Sequence, residues 1–256
     1  MLGEELADAE IGLNGIPGDR AFMLIDKNRR FLTQRELPQM ALFNSSLKDG
    51  NLNITYRPTG ESISISLTHS DLISAHVSIW QREHKALVFS KEANEWLSDL
   101  LIRNVELVGI NTEHGYPRKV KGKKYSININ FPDGYPLLIA GSKSLEDLNN
   151  KLSEPVGWDR FRPNIVIVTK EAFEEDNWDA FTADPQDIQI VKSCPRCKIV
   201  ATDQLKGVLT KEPLATLSKY RKKGNSVTFG VYGFVTQKTA LSTNQSIIVK
   251  QKGPTN

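Results

Sequence analysis

Short segments in which apolar and polar residues alternate recur through the first ninety residues, and this pattern constrains the fold most. Residues 52–56, 63–67 and 75–80 each alternate in this way. A period of two is the pattern of a strand with one buried face, so these segments predict a fold rich in short strands. Residues 21–25 and 31–35 are expected to pair as a further hairpin across a polar turn.

Helical periodicity is clearest in residues 90–103, where Ser90 stands at the N-cap position and a helix-spaced apolar stripe follows. We interpret the stripe as core packing rather than a cofactor-binding surface; it consists of Ala93, Trp96, Leu97, Leu100 and Leu101. Another helix is predicted from Pro213, near its first turn, to about Tyr220. The expected fold class is therefore α+β and β-rich, with a few peripheral helices.

Composition and charge argue against several classes of function. A net charge of +3 over 256 residues is too small to indicate nucleic-acid binding by bulk electrostatics. The apolar runs fall short of the ~20 residues that span a bilayer, and the acidic start of the chain lacks the pattern of a signal peptide. Two cysteines do not make a disulfide framework, so a reducing compartment, the cytoplasm, is expected. No Walker loop, Rossmann fingerprint or Gly-x-Ser-x-Gly elbow occurs in the sequence.

The only two cysteines lie three residues apart, as Cys194 and Cys197, with Arg196 between them. Largely apolar residues at 188–191 and 199–201 flank the pair, which predicts a strand, a tight turn and a second strand. A redox dithiol places its first cysteine at a helix N-terminus, and the β-branched residues here do not favour a helix. Zinc needs about four N or S ligands, and no histidine is paired at ligand spacing; the four are His69, His76, His84 and His114.

Two interpretations of the cysteines remain open from the residues alone. One is a single thiolate that binds a soft metal, with Arg196 supplying positive charge to a neighbouring anionic group. The other is a pair of buried cysteines that pack as small hydrophobic side chains. His76 lies in an alternating segment with Ser74 and Ser78, and we expect it to be solvated rather than catalytic.

Basic and polar side chains elsewhere suggest anion binding. Arg20 and Arg35 fall near the ends of the first predicted hairpin, where they can converge, although surface ion pairing is the commoner role of arginine. Arg162 and Asn164 precede a predicted strand and are well placed to bind phosphate or an amide-rich ring edge. The basic residues within 118–124 are either a solvated loop or an electrostatic rim for an anionic ligand or a redox partner.

Six short motifs occur in a fixed order along the chain. They are Gly18-Asp19-Arg20, Leu32-Thr33-Gln34-Arg35, Phe161-Arg162-Pro163-Asn164, Glu175-Asp176-Asn177-Trp178, Cys194-Pro195-Arg196-Cys197 and Phe229-Gly230-Val231-Tyr232. In order and spacing they closely resemble MOSC-domain proteins that carry an N-terminal MOSC β-barrel module, the family of the bacterial YcbX proteins and the mitochondrial amidoxime-reducing component. The resemblance covers nearly the whole chain.

The resemblance implies a MOSC β-barrel domain together with a smaller, β-barrel-like N-terminal module. We expect that module at residues 1–88, a connecting helix, strand and basic loop at 89–130, and the MOSC domain at 131–256. Relatives begin with one more strand, whose Lys and Ser help to bind the cofactor. This chain is expected to lack that strand.

The resemblance also implies a molybdenum cofactor, molybdopterin, and assigns residues to it. Cys197 would be the protein thiolate on molybdenum, with Cys194 as its neighbour. Asp176 matches an acidic residue near the site and is grouped with Cys197 as catalytic, whereas Arg35 matches a family arginine of undefined role. The remaining residues would hold the pterin, its phosphate and the walls of the pocket; they are Arg20, Gly134, Tyr135, Arg162, Asn164, Arg196 and Tyr232.

The implied activity is the reduction of small N-hydroxylated compounds by a molybdenum-dependent oxidoreductase. Two cysteines cannot ligate a four-cysteine iron–sulfur cluster, so electrons are expected from a separate donor protein. Neither nucleic acid nor membrane is an expected partner. The alternative is a module that carries the cofactor or a sulfur-bearing intermediate without turnover.

Overall fold

The computed structural model describes residues 3–68, 72–110, 115–120, 126–131, 134–183 and 186–252. The chain forms two compact units, each assembled from several stretches of sequence. Unit 1 contains residues 1–4, 18–115 and 202–209, and unit 2 contains residues 5–17, 116–201 and 210–256. Both units are rich in strands, which confirms the expected fold class. Within the described ranges, no helix has the length and apolar character needed to cross a membrane.

The regular elements are mostly short, as the alternating segments predicted. The strands are β1 (Asp8–Ile11), β2 (Phe22–Ile25), β3 (Phe31–Leu32), β4 (Phe43–Lys48), β5 (Asn51–Tyr56), β6 (Ser62–Ser66), β7 (Ile73–Ile79), β8 (Arg82–Val88), β9 (Glu106–Ile110), β10 (Tyr116–Lys119), β11 (Ser126–Ile129), β12 (Leu137–Gly141), β13 (Ile165–Ile167), β14 (Trp178–Ala183), β15 (Gln186–Arg196), β16 (Thr202–Asp203), β17 (Val208–Leu209), β18 (Lys222–Lys223), β19 (Ser226–Phe234), β20 (Thr239–Ser242) and β21 (Val249–Gln251). The α-helices are α1 (Lys91–Leu101), α2 (Ser142–Asn149) and α3 (Leu214–Tyr220), and short 3-10 helices span Pro38–Leu42, Trp158–Arg160, Glu174–Asn177 and Lys198–Ala201.

Unit 1 contains an antiparallel sheet in the order β3–β2–β9–β8–β7 and a smaller sheet in the order β4–β5–β6. Leu24 pairs with Leu32, which confirms the first predicted hairpin. Helix α1 begins where predicted, because the Ser90 side chain accepts the N–H of Ala93 at 3.4 Å. The apolar stripe of α1 packs into the core of unit 1 together with Phe43 and residues of both sheets.

Residues 202–209 are fixed in unit 1 by buried polar contacts. The amide nitrogen of Gln204 donates to the side-chain oxygen of Gln34 at 3.0 Å, and both residues are buried. The Arg57 guanidinium donates to the carbonyl of Ala41 at 3.0 Å and also to the carbonyl of Gln204. Burying an amide without a hydrogen-bond partner costs free energy, so these bonds fix the position of the β16–β17 hairpin within unit 1.

Unit 2 is organised around one sheet in the order β13–β12–β19–β15–β14–β21, with β18 beside β19. Strands β12 and β13 are parallel and are connected through α2, whereas the other pairs are antiparallel. Leu137, Trp178 and Ile188 are buried in its main core. Gly230 has φ +69, and a Cβ there would lie 2.7 Å from the carbonyl oxygen of Ile139, so only glycine lets β19 approach β12 this closely.

The chain after the second cysteine differs from the sequence prediction. Strand β15 continues through Arg196, and residues 198–201 form a 3-10 helix rather than the predicted strand. The Cys197 carbonyl accepts the N–H of Val200 at 3.2 Å, so a local turn bond replaces a strand ladder. Val200 and Ala201 are buried, which shows that their apolar character serves core packing.

Candidate cofactor site

The two cysteines lie in different environments. Cys194 is on β15 and is only 2% exposed, whereas Cys197 follows the last residue of that strand and is partly exposed. The pairing of β15 with β19 shifts between Ser193 and Pro195, so the side-chain alternation is interrupted at Cys194. Of the two thiols, Cys197 is therefore the one that an external group can reach.

Arg196 is held from several sides. Its Nη1 donates to Cys194 Sγ at 3.0 Å, and its Nη2 donates to the Phe161 carbonyl at 2.8 Å. The guanidinium also lies over the Phe161 ring at 5.5 Å, and that ring stacks on Phe229 with centroids 4.0 Å apart. Its Nε is buried and has no hydrogen-bond partner among the described residues. Arg196 is thus a fixed cation next to Cys197 in the chain, and its Nε–H is unused.

Arg162 and Asn164 lie where the 3-10 helix Trp158–Arg160 leads into β13. Arg162 adopts a left-handed backbone conformation, φ +55, which is uncommon for a residue other than glycine, and its N–H bonds the Trp158 carbonyl at 2.7 Å. Asn164 exchanges hydrogen bonds with the backbone of Leu138, since its Oδ1 accepts the Leu138 N–H at 3.0 Å. Asn164 therefore helps to fix the start of β12, and its predicted role towards a cofactor stays a prediction.

Gly134, Tyr135 and Tyr232 are brought together. The two tyrosine rings are 5.4 Å apart, and a Cβ on Gly134 would lie 2.4 Å from Cζ of Tyr232. Two cations face the buried Tyr135 ring, with Arg118 at 5.5 Å and Lys192 at 5.9 Å from its centroid. Glycine is required at position 134 by this close approach, and the cluster presents positive charge on the aromatic face.

Asp176 is engaged by three side chains of unit 2. Arg221 donates to its Oδ2 at 2.6 Å, Lys223 lies 3.4 Å from the same oxygen, and Ser193 donates to Oδ1 at 3.0 Å. Burial opposes ionisation, but the hydrogen bond and charge of Arg221, with Lys223 and Ser193, hold the pKa of Asp176 below its ordinary value. Because Ser193 precedes Cys194, the carboxylate braces the strand that carries the cysteines. Its predicted catalytic role stays a prediction.

Arg20 and Arg35 both belong to unit 1. Arg20 has φ +50 and forms an ion pair with Asp19. The Arg35 guanidinium lies over the Trp80 ring at 5.0 Å. The role of Arg20 in cofactor binding stays a prediction. Of the basic stretch 118–124, residues 121–124 lie outside the described residues.

Sequence reasoning missed the buried carboxylate of Glu175. It is fully buried and accepts hydrogen bonds from the Ser144 hydroxyl at 2.8 Å and the Gly141 N–H at 3.2 Å. Burial raises the pKa of Glu175, although these hydrogen bonds act in the opposite sense. The sequence showed only a polar corner, and the partners lie 31 and 34 residues away, so no local pattern could have revealed them. Arg221 was missed for the same reason, since it is 45 residues from Asp176.

The residues present fit a molybdenum cofactor. One thiol is accessible while its neighbour is sealed, which suits a single soft ligand. Among the described residues, no group of three or more His, Cys, Asp and Glu side chains could hold a metal by itself, so further ligands would have to come from the bound group. The unused Nε–H of Arg196 is suited to an anionic oxygen of such a group.

Comparison with known proteins finds two domain matches and several curated relatives. The family model of the MOSC N-terminal beta barrel domain matches residues 1–104, and that of the MOSC domain matches residues 126–248. Mitochondrial amidoxime reducing component 2 of Rattus norvegicus is 29% identical over 79% of this chain and 62% of its own length. Molybdenum cofactor sulfurase of Oryza sativa subsp. japonica is 27% identical over 85% of this chain but only 29% of its own length.

The crystal structure of YiiM from Geobacillus stearothermophilus aligns with 55% of this chain and 73% of its own at 18% identity, with a TM-score of 0.33, too weak a likeness to carry a residue assignment. The two domain matches together cover most of the sequence and have the order expected from the six motifs. The chain belongs to the MOSC-domain family, with a MOSC N-terminal beta barrel domain followed by a MOSC domain.

Proposed function

We propose that this protein binds a molybdenum cofactor and reduces small N-hydroxylated compounds with electrons from a separate protein. The observation that carries the proposal is the accessible thiol of Cys197 beside the fixed guanidinium of Arg196, within a chain of the MOSC-domain family. Relatives named amidoxime reducing component support the reaction class, at about 28% identity.

The residues of unit 2 have distinct tasks in this proposal. Cys197 supplies the thiolate ligand. Arg196, which Cys194 and Phe161 hold in place, donates its Nε–H to an anionic oxygen of the cofactor and offsets the charge of that oxygen. Asp176 positions β15 through Ser193. When bound, the cofactor supplies two-electron chemistry at the metal.

The proposed reaction balances with two electrons and two protons. The N–O bond of an amidoxime breaks, its oxygen leaves as water, and the amidine remains. The sequence has too few cysteines for a four-cysteine cluster, so this proposal takes the electrons from a separate protein. The donor is therefore a co-reactant of the proposed activity.

The test compares two matched cysteine variants. Metal and pterin are measured in purified wild type, Cys197→Ser and Cys194→Ser, by mass spectrometry of molybdenum and by pterin fluorescence. We expect Cys197→Ser to lose most of the molybdenum, and Cys194→Ser to retain it because a hydroxyl still accepts from Arg196. Equal molybdenum in wild type and Cys197→Ser would contradict the assignment.

A carrier role without turnover is the second candidate, favoured by the similarity to molybdenum cofactor sulfurase. Both candidates require binding, so metal content does not separate them. Reduction of benzamidoxime to benzamidine by the loaded protein, with reduced methyl viologen as an artificial donor, separates them directly. Turnover eliminates the carrier role, whereas metal-loaded protein without turnover eliminates the reductase.

A further inference from the structure

Positive charge is concentrated in the last part of the chain. Residues 188–256 contain twelve Lys or Arg and only two acids, Asp203 and Glu212, which is a net charge of +10. The whole chain has a net charge of +3, so residues 1–187 carry −7. The basic segment includes residues 188–196 of β15, the strand that ends beside Cys197. The excess belongs to this stretch of the sequence, and in the folded chain its Arg221, Lys223 and Lys250 pair with Asp176 and Asp187, which precede it.

The β18–β19 hairpin brings part of this charge to the Cys197 end of the sheet. Lys222 pairs with Val227, and Val227 pairs on its other side with Arg196. Directly paired residues point to the same face of a sheet. Lys222 is therefore on the face of Arg196, two strands away at roughly 10 Å of backbone spacing, and Cys197 is the next residue.

The neighbouring cations of the hairpin point to the opposite face. Arg221 and Lys223 both reach the carboxylate of Asp176, as the alternation on either side of Lys222 requires. Lys222 is exposed and makes no ion pair within the part of the chain that the structure describes. Lys198, which follows Cys197 directly, is likewise exposed. On one face of the hairpin, Arg221 and Lys223 share the carboxylate of Asp176. On the other face, Lys222 has no acidic partner among the described residues.

We propose that the β18–β19 hairpin, with Lys222 at its centre, is the docking surface for an acidic electron-transfer protein. This rests on the proposed function, because that reaction needs an external donor. A negatively charged partner seated on Lys222 would place its redox group near the strand end that carries Arg196 and Cys197. Complementary charge of this kind raises the association rate and orients the encounter.

The experiment measures binding and turnover separately. The probe is a reduced plant-type [2Fe–2S] ferredoxin, an acidic one-electron carrier, two molecules of which supply the two electrons of the reaction. Binding is measured by calorimetry without substrate at low and high sodium chloride. Turnover of benzamidoxime is measured with ferredoxin and, in parallel, with methyl viologen.

Lys222→Glu is compared with Lys238→Glu. Lys238 is exposed, has no ion pair among the described residues and follows the far end of β19, about 27 Å of strand from Ser226. We expect Lys222→Glu to weaken ferredoxin binding about tenfold at low salt and Lys238→Glu to change it less than about twofold. High salt should weaken wild-type binding and reduce the difference. Turnover with methyl viologen should be the same in both variants.

Several results would overturn the proposal. They are equal weakening by the two substitutions, no weakening by Lys222→Glu, or no ferredoxin binding by the wild type. Binding of phosphatidylserine vesicles or duplex DNA that depends on Lys222, without ferredoxin binding, would assign the surface to another class of partner. If the wild type shows no turnover with methyl viologen, the proposed reductase activity is refuted. The calorimetry still tests the docking surface, because it measures ferredoxin binding without turnover.

Discussion

Asp176→Asn tests how strongly the ion pair with Arg221 supports unit 2. The substitution keeps the shape of the side chain and an oxygen that can accept from Ser193, but it removes the negative charge. Arg221 would then remain near the Phe173 ring, 3.9 Å from its centroid, without its carboxylate partner. The cation would be left partly buried and uncompensated.

The expected magnitude follows from the burial of the pair. Both side chains are 11% exposed, so water screens them little. Breaking a fully buried pair costs about 3–5 kcal/mol, and the retained Ser193 bond and partial hydration reduce this to about 2–3 kcal/mol at pH 7. Asp187→Asn is the matched control, because Asp187 pairs with the exposed Lys250, and we expect less than about 1 kcal/mol there.

The effect has a definite pH dependence. The pKa of Asp176 in the folded protein lies below its ordinary value of 3.8, so its stabilising contribution is complete well above that pH. The contribution is lost as the pH falls below 3.8 through the folded value. The difference between wild type and Asp176→Asn should therefore be smaller at about pH 2.5 than at pH 7.

The assay is urea unfolding followed by tryptophan fluorescence; one of the four tryptophans, Trp178, is buried two residues from Asp176. The free energy of unfolding is determined for wild type, Asp176→Asn and Asp187→Asn at both pH values. A difference for Asp176→Asn that is the same at both pH values would refute the electrostatic argument. So would an equal loss in Asp187→Asn.

Three further substitutions test other contacts. Cys194→Ala removes the acceptor of Arg196 Nη1, so urea unfolding should show a loss of about 1–3 kcal/mol, and a smaller loss in Cys194→Ser would support the hydrogen bond as the cause. Burial holds the pKa of Glu175 above 4.5, so wild-type stability falls as the pH rises from about 4.5 through the folded value. Glu175→Gln should remove this part of the pH dependence of the urea midpoint, and an unchanged pH dependence would contradict this. Gly134→Ala should lower the free energy of unfolding by about 1–3 kcal/mol, measured by thermal unfolding, because the added Cβ meets the Tyr232 ring. Combining it with Tyr232→Leu should restore part of this stability. If Tyr232→Phe, which keeps the ring, restores the stability instead, the clash with the ring is not the cause.

The elements that sequence predicted well are those with local signals. Helix α1 follows an N-cap and a one-sided apolar stripe, and helix α3 follows a proline at its start. The alternating segments became β5, β6 and β7. His76 is exposed, as its alternation indicated. In each case the structure of the segment is determined by residues close together in the sequence.

The site was only partly predictable because its geometry depends on distant contacts. The family motifs predicted roles for Cys197 and Arg196, and these stay predictions. The burial of Cys194 depends on strand register and on Phe161, 35 residues from Arg196, so no local pattern revealed it. The apolar residues after Cys197 suggested a strand, whereas they pack from a 3-10 helix. A short apolar run does not distinguish these outcomes.

The buried amide of Gln34 has its partner 170 residues later, in Gln204. During synthesis, most of unit 2 therefore leaves the ribosome before unit 1 receives its last segment, residues 202–209. In a nascent chain that has reached residue 115, the surface that later contacts this hairpin is exposed to water, and Gln34 and Arg57 are hydrated. Unit 1 can therefore complete its folding only after residues 202–209 have been synthesised. A fragment that ends at residue 115 would lack these residues and would leave unit 1 incomplete.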